Sequence, residues 1–422
     1  MLTNQRQWRK IHMLTNQHIE VFQMNQFKKI AYRSFQAVLN PAVAVIPYRN
    51  PKILTSVNDI PGYLKAKHKK TVLIVTDEGV HQMGLLDSLK KGLKDKQIHY
   101  YIYDKTVPNP TVKNVEAARA IYKETGCQAL IGFGGGSSID CAKTVAARIV
   151  RPRKSIRKMR GILQVLRPTP LIIAVPTTAG TGSETTVTTV ITDSETGHKF
   201  PISDPVLIPH VAVHDPEVTK TLPGTLTATT GMDTLTHAIE AYIGNAATKK
   251  TQKDALEAAR LVAENLEPAY HHGKNLKYRA NMLRASFLAG RAFSKAFVGY
   301  CHAVAHSLGG KYNIPHGLAN AVLLPYVLEA YGSAIYKKSK DIAVAMHLVD
   351  ENENEEIAAK VLIETIRIMN KNMGIPEKLG GIHEKDIPKL AAYAAKEANP
   401  TYPVPVLMGR KELEKFYYCV MA

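Results

Sequence analysis

The chain holds 422 residues, 45% hydrophobic and 22% charged, enough for two or three domains with real cores and unlike a disordered, collagenous or coiled-coil composition. No run approaches the about 18 uninterrupted apolar residues of a membrane span, and four scattered cysteines (Cys127, Cys141, Cys301, Cys419) exclude a disulfide framework or a CxxC zinc module and fit a reducing, cytoplasmic compartment. The net charge of +19 is read as a lysine-rich surface, because aromatic residues are few and no nucleic-acid motif is present; small molecules, not nucleic acid or membrane, are the expected partners.

Residues 1–40 carry six Lys/Arg and one acid, Glu20, and repeat the pentapeptide MLTNQ at 1–5 and 13–17. This basic extension reads as an organellar presequence, a surface extension or an upstream start. Over residues 41–222 strand and helix patterns alternate. Thr71–Thr76, His99–Tyr103, Ala129–Phe133 and Leu171–Val175 are short β-branched or apolar runs. Val112–Thr125 and Ser138–Val150 have helical spacing between them. That alternation predicts a parallel sheet covered by helices. A basic cluster, Arg148, Arg151, Arg153, Lys154, Arg157, Lys158 and Arg160, is read as a solvated helix or loop, with a subunit contact or anion site as the alternative. After Pro223-Gly224 strand-like runs nearly vanish, and Gln252–Leu266, Tyr278–Phe293 and Ala319–Tyr331 have long helical patterns. The predicted fold class is therefore an α/β N-terminal domain, 41–222, followed by an all-α domain, 223–422.

Chemistry concentrates in two places. Asp233 and His237 are four apart in GMDTLTHAIEAYIG, and His302 and His306 repeat that spacing in HAVAH, so each pair shares a helix face. His316 follows in IPHGLAN. A carboxylate with imidazoles suits a divalent transition metal; each pair alone is more often a surface or core feature than a ligand pair, and it is the two pairs together with His316 that point to a metal. The second place is GFGGGSSID (Gly132–Asp140), a strand end opening a helix, whose backbone N–H groups can cradle a pyrophosphate. It departs from G-x-G-x-x-G because Ser137 stands at the third glycine. The polar loop PTTAGTGSETT (Pro176–Thr186) offers further amides and hydroxyls. Asp77, directly after the first strand, is either a ribose ligand that would repel a 2′-phosphate or a helix N-cap, and the sequence leaves both open.

Together IVTD, VPNPT, GFGGGSSID, PTTAGTGSE, GMDTLTHAIEAY and CHAVAHSLGGKYNIPHGLANAVLLPYV resemble the iron-containing (group III) alcohol dehydrogenases, the family of lactaldehyde reductase, 1,3-propanediol dehydrogenase and butanol dehydrogenases, from about residue 45 to the C-terminus. The resemblance implies an N-terminal dinucleotide-binding domain, a helical metal-binding domain and a substrate cleft between them. It implies Fe(2+), or Zn(2+), on Asp233, His237, His302 and His316, and a non-ligand His306 beside the nicotinamide as proton carrier. For NAD it implies Asp77, Asn109 of the PNP segment, the loop residues Gly135, Gly136, Ser137 and Asp140, and Thr177, Thr178, Thr181 and Lys199 around the nicotinamide half. The implied reaction is hydride transfer between a primary alcohol or diol and NAD, in a homodimer or larger homo-oligomer. Glycerol-dehydrogenase-like or hydroxyacid–oxoacid transhydrogenase activity is the alternative. Lys295 and Phe297, just before His302, depart from the family pattern and put the identity of the substrate in doubt.

Overall fold

The structure, a computed structural model, describes residues 24–45, 48–195 and 199–422, without the side chains of 41–45. The MLTNQ repeat and the presequence reading fall in residues 1–23, outside the described residues.

In chain order the elements are α1 (Gln26–Val45), β1 (Lys52–Leu54), α2 (Ile60–Ala66), β2 (Thr71–Val75), α3 (Glu78–Gln82), α4 (Asp87–Asp95), β3 (His99–Tyr103), α5 (Val112–Glu124), β4 (Ala129–Gly134), α6 (Gly136–Val150), β5 (Gly161–Ile162), β6 (Leu171–Pro176), β7 (Thr188–Thr192), β8 (Lys199–Ser203) and β9 (Val211–Val213). Then come only helices: α7 (Gly224–Ile243), α8 (Lys249–His271), α9 (Leu276–Ala296), α10 (Tyr300–Tyr312), α11 (His316–Tyr331), α12 (Tyr336–Ala345), α13 (Glu355–Asn372), α14 (Ile387–Ala398) and α15 (Arg410–Val420), with short 3-10 turns throughout.

Six strands form one parallel sheet in the order β1-β9-β6-β4-β2-β3. Strands β2, β4 and β6 are buried almost throughout, which is why they read in the sequence as continuous apolar runs. The chain passes from β2 outward to β3, then returns to place β4 on the other side of β2. The crevice at the carboxyl ends of β2 and β4 is thus a topological switch point, the usual ligand position in such sheets. A second sheet, β5-β8-β7 with β7 and β8 antiparallel, was not expected from the sequence. Its strands are short and half-exposed, and Pro201 interrupts the β8 pattern.

The basic cluster occupies the end of α6 and the following loop with every member exposed or half-buried, a solvated segment in which some members are also tethered. Arg157 grips Asp193 through two hydrogen bonds of 2.7 and 2.8 Å, Arg148 pairs with Glu116, and Lys154 donates to the Gln164 carbonyl at 3.0 Å. These tethers fold the 151–166 loop back onto the α/β unit.

In the helical half, α7 is buried on all sides after its first turn and packs against α8, α9 and α11. Gly231 allows this approach, since a Cβ there would lie 2.1 Å from Leu266 Cδ1. An interior helix has no solvated face, so its polar residues Asp233, His237 and Glu240 require partners. The stretch His316–Ala345 is long and apolar enough to cross a bilayer, yet 61% of its apolar window is buried inside the bundle, as for a core element. Helix α1 runs past the expected boundary at residue 40. It is tied down by Arg33, which donates to the carbonyls of Val404 and Pro405 at 2.9 and 2.8 Å, and by Gln36, which donates to those of Pro400 and Tyr402 at 2.8 Å.

Candidate active site

Three helices bring four donors together. Helix α7 supplies Asp233 and His237 one turn apart, α10 supplies His302 near its start, and α11 opens on His316. One ligand atom from each residue lies within 4.8 Å of all the others. The Asp233 carboxylate is 3.4 Å from His316 Nε2, 3.7 Å from His302 Nε2 and 3.9 Å from His237 Nδ1. His237 Nδ1 and His302 Nε2 are buried without any hydrogen-bond partner. Orphaned buried nitrogens are costly unless something else fills the role, so these residues fit a divalent cation. Burial lowers the pKa of all three imidazoles, with His316 at about 4 and His302 well below its ordinary value. They are therefore neutral, the state that coordinates a metal.

Two supporting residues escaped the sequence reading. Glu240, one α7 turn beyond His237, accepts from His302 Nδ1 at 2.6 Å and from the backbone N–H groups of Gly299 and Cys301 at 2.8 and 2.9 Å. It thereby fixes the His302 ring and aims Nε2 at Asp233. Burial pushes the Glu240 carboxyl up to about 7, against the backbone hydrogen bonds that hold it down. Asn320 lies four residues after His316 and donates to Asp233 Oδ1 at 2.7 Å. An acid at i+3 from His237 and an amide at i+4 from His316 are the periodic signals that mark both.

The switch-point crevice gathers the second group. Helix α6 opens at Gly136 with no side-chain cap; the Ser138 and Ile139 N–H groups turn back to Gly135 O at 3.1 and 3.3 Å, so those of Gly136 and Ser137 are the ones offered to an anion. A Cβ on Gly136 would meet Thr181 at 2.7 Å, and one on Gly135 would lie 3.7 Å from Thr178. Thr177 N–H donates to Gly134 O at 3.0 Å, joining the two loops. Asn109, at φ 59°, donates its N–H to Ser137 Oγ at 3.2 Å. Asp77 caps α3 by accepting from Val80 N–H at 3.0 Å, and its other oxygen accepts from Ser138 Oγ at 3.2 Å. The N-cap role is thus occupied, while the carboxylate stays partly exposed at the crevice.

Asp140 requires a correction. Its carboxylate is committed inward, accepting from Ser183 Oγ and from Val190 N–H at 2.8 Å, with Lys143 Nζ at 3.9 Å, so it anchors the 183–190 segment instead of facing a ligand. Lys143, fully buried, supports the same segment by donating to the carbonyls of Ser183, Thr186 and Thr188.

The two groups meet. Thr234, next to Asp233, donates to Ala179 O at 3.1 Å, and Gly182 N–H donates to Ser286 Oγ of α9 at 3.2 Å. The Pro176–Thr186 loop therefore lies directly on α7, beside Asp233, and reaches α9. Lys199 of β8 reaches the same region, 3.7 Å from a Cβ position on Gly309 of α10, and burial lowers its pKa. His306 stands outside the four-donor group. Its ring stacks on His316 at 5.0 Å, and Nδ1 pairs with Glu397 Oε1 at 2.6 Å, which also accepts from Tyr402 at 2.9 Å. Desolvation pushes the His306 imidazole down, but the charge and hydrogen bond of Glu397 push it further up. Both side chains are about a third exposed (36% and 35%), so this pair communicates with solvent. Of the two departures, Phe297 closes α9 at φ 64° and Lys295 sits over the Tyr48 ring at 5.7 Å.

Comparison with known proteins agrees with this geometry. Residues 54–216 match the model of the iron-containing alcohol dehydrogenases, and residues 227–420 match the C-terminal model of the Fe-containing alcohol dehydrogenase family. The chain is 40% identical over 338 residues to alcohol dehydrogenase 4 of Saccharomyces cerevisiae, covering 80% of this chain and 87% of that protein. It is 39% identical over 352 residues to 1,3-propanediol dehydrogenase of Citrobacter freundii, covering 82% and 90%. A crystal structure of 1,3-propanediol oxidoreductase superposes with a TM-score of 0.84 at 36% identity, over 88% of this chain and 97% of that one. The chain belongs to the iron-containing alcohol dehydrogenase family. It is an oxidoreductase that interconverts alcohols and aldehydes with a nicotinamide-type cofactor.

Proposed function

We propose that the protein reduces short aldehydes and oxidises the matching primary alcohols or diols with NAD(H), using Fe(2+), or Zn(2+), held by Asp233, His237, His302 and His316. One observation carries this reading: the four-donor cluster, with Asp233, His237 and His302 buried, His316 at its open edge and two orphaned imidazole nitrogens, lies one residue from the contact between α7 and the Thr177–Thr181 loop. When bound, the ion supplies electrophilic polarisation of the substrate oxygen, and the nicotinamide supplies or accepts the hydride.

The chain's own residues supply the remainder. Gly135, Gly136 and Ser137 offer the α6 N-terminus to a pyrophosphate, and Thr177, Thr178 and Thr181 line the approach to the metal helix. Asp77 favours a free ribose 2′-hydroxyl over a phosphate by charge. His306 holds the proton at its imidazole, with Glu397 and Tyr402 orienting the ring and a partly open path to water behind it. A homo-oligomer and a cytoplasmic setting complete the proposal; four free cysteines support a reducing compartment.

The test is an alcohol and aldehyde panel, including propanediols, run with NAD(H) and NADP(H) on anaerobically prepared protein loaded with Fe(II) or Zn(II). The proposal expects metal-dependent turnover of primary alcohols or diols, with NAD(H) preferred. Turnover of secondary alcohols only, or no response to either metal, overturns it.

A further inference from the structure

Helix α1 directs two polar side chains at a single distant segment. Arg33 donates to the carbonyls of Val404 and Pro405, and Gln36, only 3% exposed, donates to those of Pro400 and Tyr402. Arg33 also donates to Gln36 Oε1 at 2.8 Å, so the two side chains act as one unit. Met24 and Tyr32 pack on the helical core beside them. The receiving segment explains the demand for donors. Residues 399–405 read NPTYPVP, and each of the three prolines lacks an N–H. Such a stretch cannot pair its carbonyls in a regular ladder, so donors must come from elsewhere.

The segment leads to the active site. The Tyr402 hydroxyl donates to Glu397 Oε1 at 2.9 Å, the same oxygen that pairs with His306 Nδ1 at 2.6 Å. Tyr402 N–H donates to Ala398 O at 2.7 Å, tying the segment to the end of α14, the helix that carries Glu397. One line of hydrogen bonds thus runs from Gln36 to the Tyr402 carbonyl, from the Tyr402 hydroxyl to Glu397, and from Glu397 to His306. Other tethers hold the neighbours of Tyr402: Asn245 N–H donates to Pro403 O at 2.6 Å, and the Tyr300 hydroxyl donates to Asn399 Oδ1 at 2.9 Å. The Tyr402 carbonyl itself accepts from Val404 N–H at 2.9 Å within the segment. Among the described residues, Gln36 is its only donor from outside the segment.

We infer that α1 is a positioning element for the proton carrier: Gln36, braced by Arg33, fixes Tyr402 so that its hydroxyl keeps Glu397 turned toward His306. The inference rests on the role of His306 proposed above. Helix α1 precedes residue 54, where the match to the iron-containing alcohol dehydrogenase model begins, so this support comes from outside the matched region. Among the described residues no metal ligand is hydrogen-bonded to residues 399–405. Loss of the Gln36 donor therefore acts on the proton carrier and leaves the metal in place.

The experiment compares Gln36→Leu, Tyr402→Phe and the two combined, in the full metal-loaded chain, with His306→Gln as reference. The readouts are kcat, KM, metal content and the solvent deuterium isotope effect on kcat. Gln36→Leu keeps the volume and removes the donor. It is expected to lower kcat at least about threefold, short of the about 10²–10⁴-fold of His306→Gln, with KM and metal content unchanged and a larger solvent isotope effect. The combined variant is expected to fall no further than Tyr402→Phe alone, because both changes act through one hydroxyl. Unchanged kcat in Gln36→Leu or in Tyr402→Phe, while His306→Gln loses its rate, overturns the role of α1 and leaves the proton carrier standing. Tyr402→Phe removes one hydroxyl only, so it decides the point even where Gln36→Leu does not fold. Losses that multiply in the combined variant, or that come with lost metal or a raised KM, make α1 a structural support only and overturn the inference. Full kcat in His306→Gln overturns the proton-carrier reading and this inference with it.

Discussion

Replacing Glu240 with Gln keeps its volume and removes one thing, the ability of both side-chain oxygens to accept. The carboxylate serves three buried donors: His302 Nδ1 at 2.6 Å and the N–H groups of Gly299 and Cys301 at 2.8 and 2.9 Å. A Gln amide has one acceptor oxygen, and its NH2 faces a donor with another donor. At least one buried N–H then loses its partner, a penalty of about 1–3 kcal/mol. If the strained partner is His302, the ring is free to turn and Nε2 leaves the Asp233 side of the cluster. Loss of such a ligand-orienting partner lowers metal affinity by about 10–100-fold, or about 1.4–2.7 kcal/mol. The assay is competition of the purified protein with a chelator of known affinity, read by metal content, alongside thermal unfolding of the metal-free form. Glu240→Gln is expected to weaken metal retention within that range and to lower the metal-free Tm by a few degrees. Unchanged affinity in a folded variant would refute the claim that Glu240 aims His302.

Three further outcomes follow from the same geometry. Burial raises the Glu184 carboxyl to about 7 from 4.5, and its Oε1 has no hydrogen-bond partner. The folded state therefore holds this proton more tightly than the unfolded state; the contribution to stability is full below 4.5 and is lost as pH rises through 7. Glu184→Gln should flatten the fall in Tm between pH 5.5 and 8.5, and an unaltered slope counts against the assignment. Asp77→Ser retains an N-cap for α3 while removing the charge, so the NAD:NADP ratio of kcat/KM should drop with little change in Tm; an unchanged ratio removes Asp77 from ribose recognition. His306→Gln should keep the metal and lose about 10²–10⁴-fold in kcat, measured with metal analysis on the same sample. A metal-free variant would make His306 a ligand.

What the sequence made legible depended largely on burial, although the half-exposed edge strand β3 was also legible from its aromatic and β-branched run HYYIY. Strands β2, β4 and β6 lie inside the sheet, covered on both faces, so their apolar runs located them to within a residue or two. Strands β5, β7 and β8 lie in a small half-exposed sheet, where threonines and a proline leave no such run. Asp233, His237, His302 and His316 were legible because helical spacing, with the family resemblance, named them before their convergence was seen. Glu240 was hidden by looking ordinary, one acid among apolar neighbours. Glu397 was beyond reach, since 91 residues separate it from His306 and only the packing of α14 against α10 joins them. The motif placed Asp140 with the cofactor loop, but a one-dimensional pattern cannot say that this face of α6 turns toward Ser183 and Val190.

The central claim is that a cation at Asp233, His237, His302 and His316 is indispensable to the reaction. The most direct measurement is metal stoichiometry and NADH-dependent aldehyde reduction on one preparation, before chelation, after chelation and after Fe(II) or Zn(II) is restored, with His302→Ala beside it. The account predicts one ion per chain, activity lost on removal and regained on restoration, and neither occupancy nor rescue in His302→Ala while the fold persists. Full activity in chelated protein, or full occupancy in His302→Ala, would contradict it.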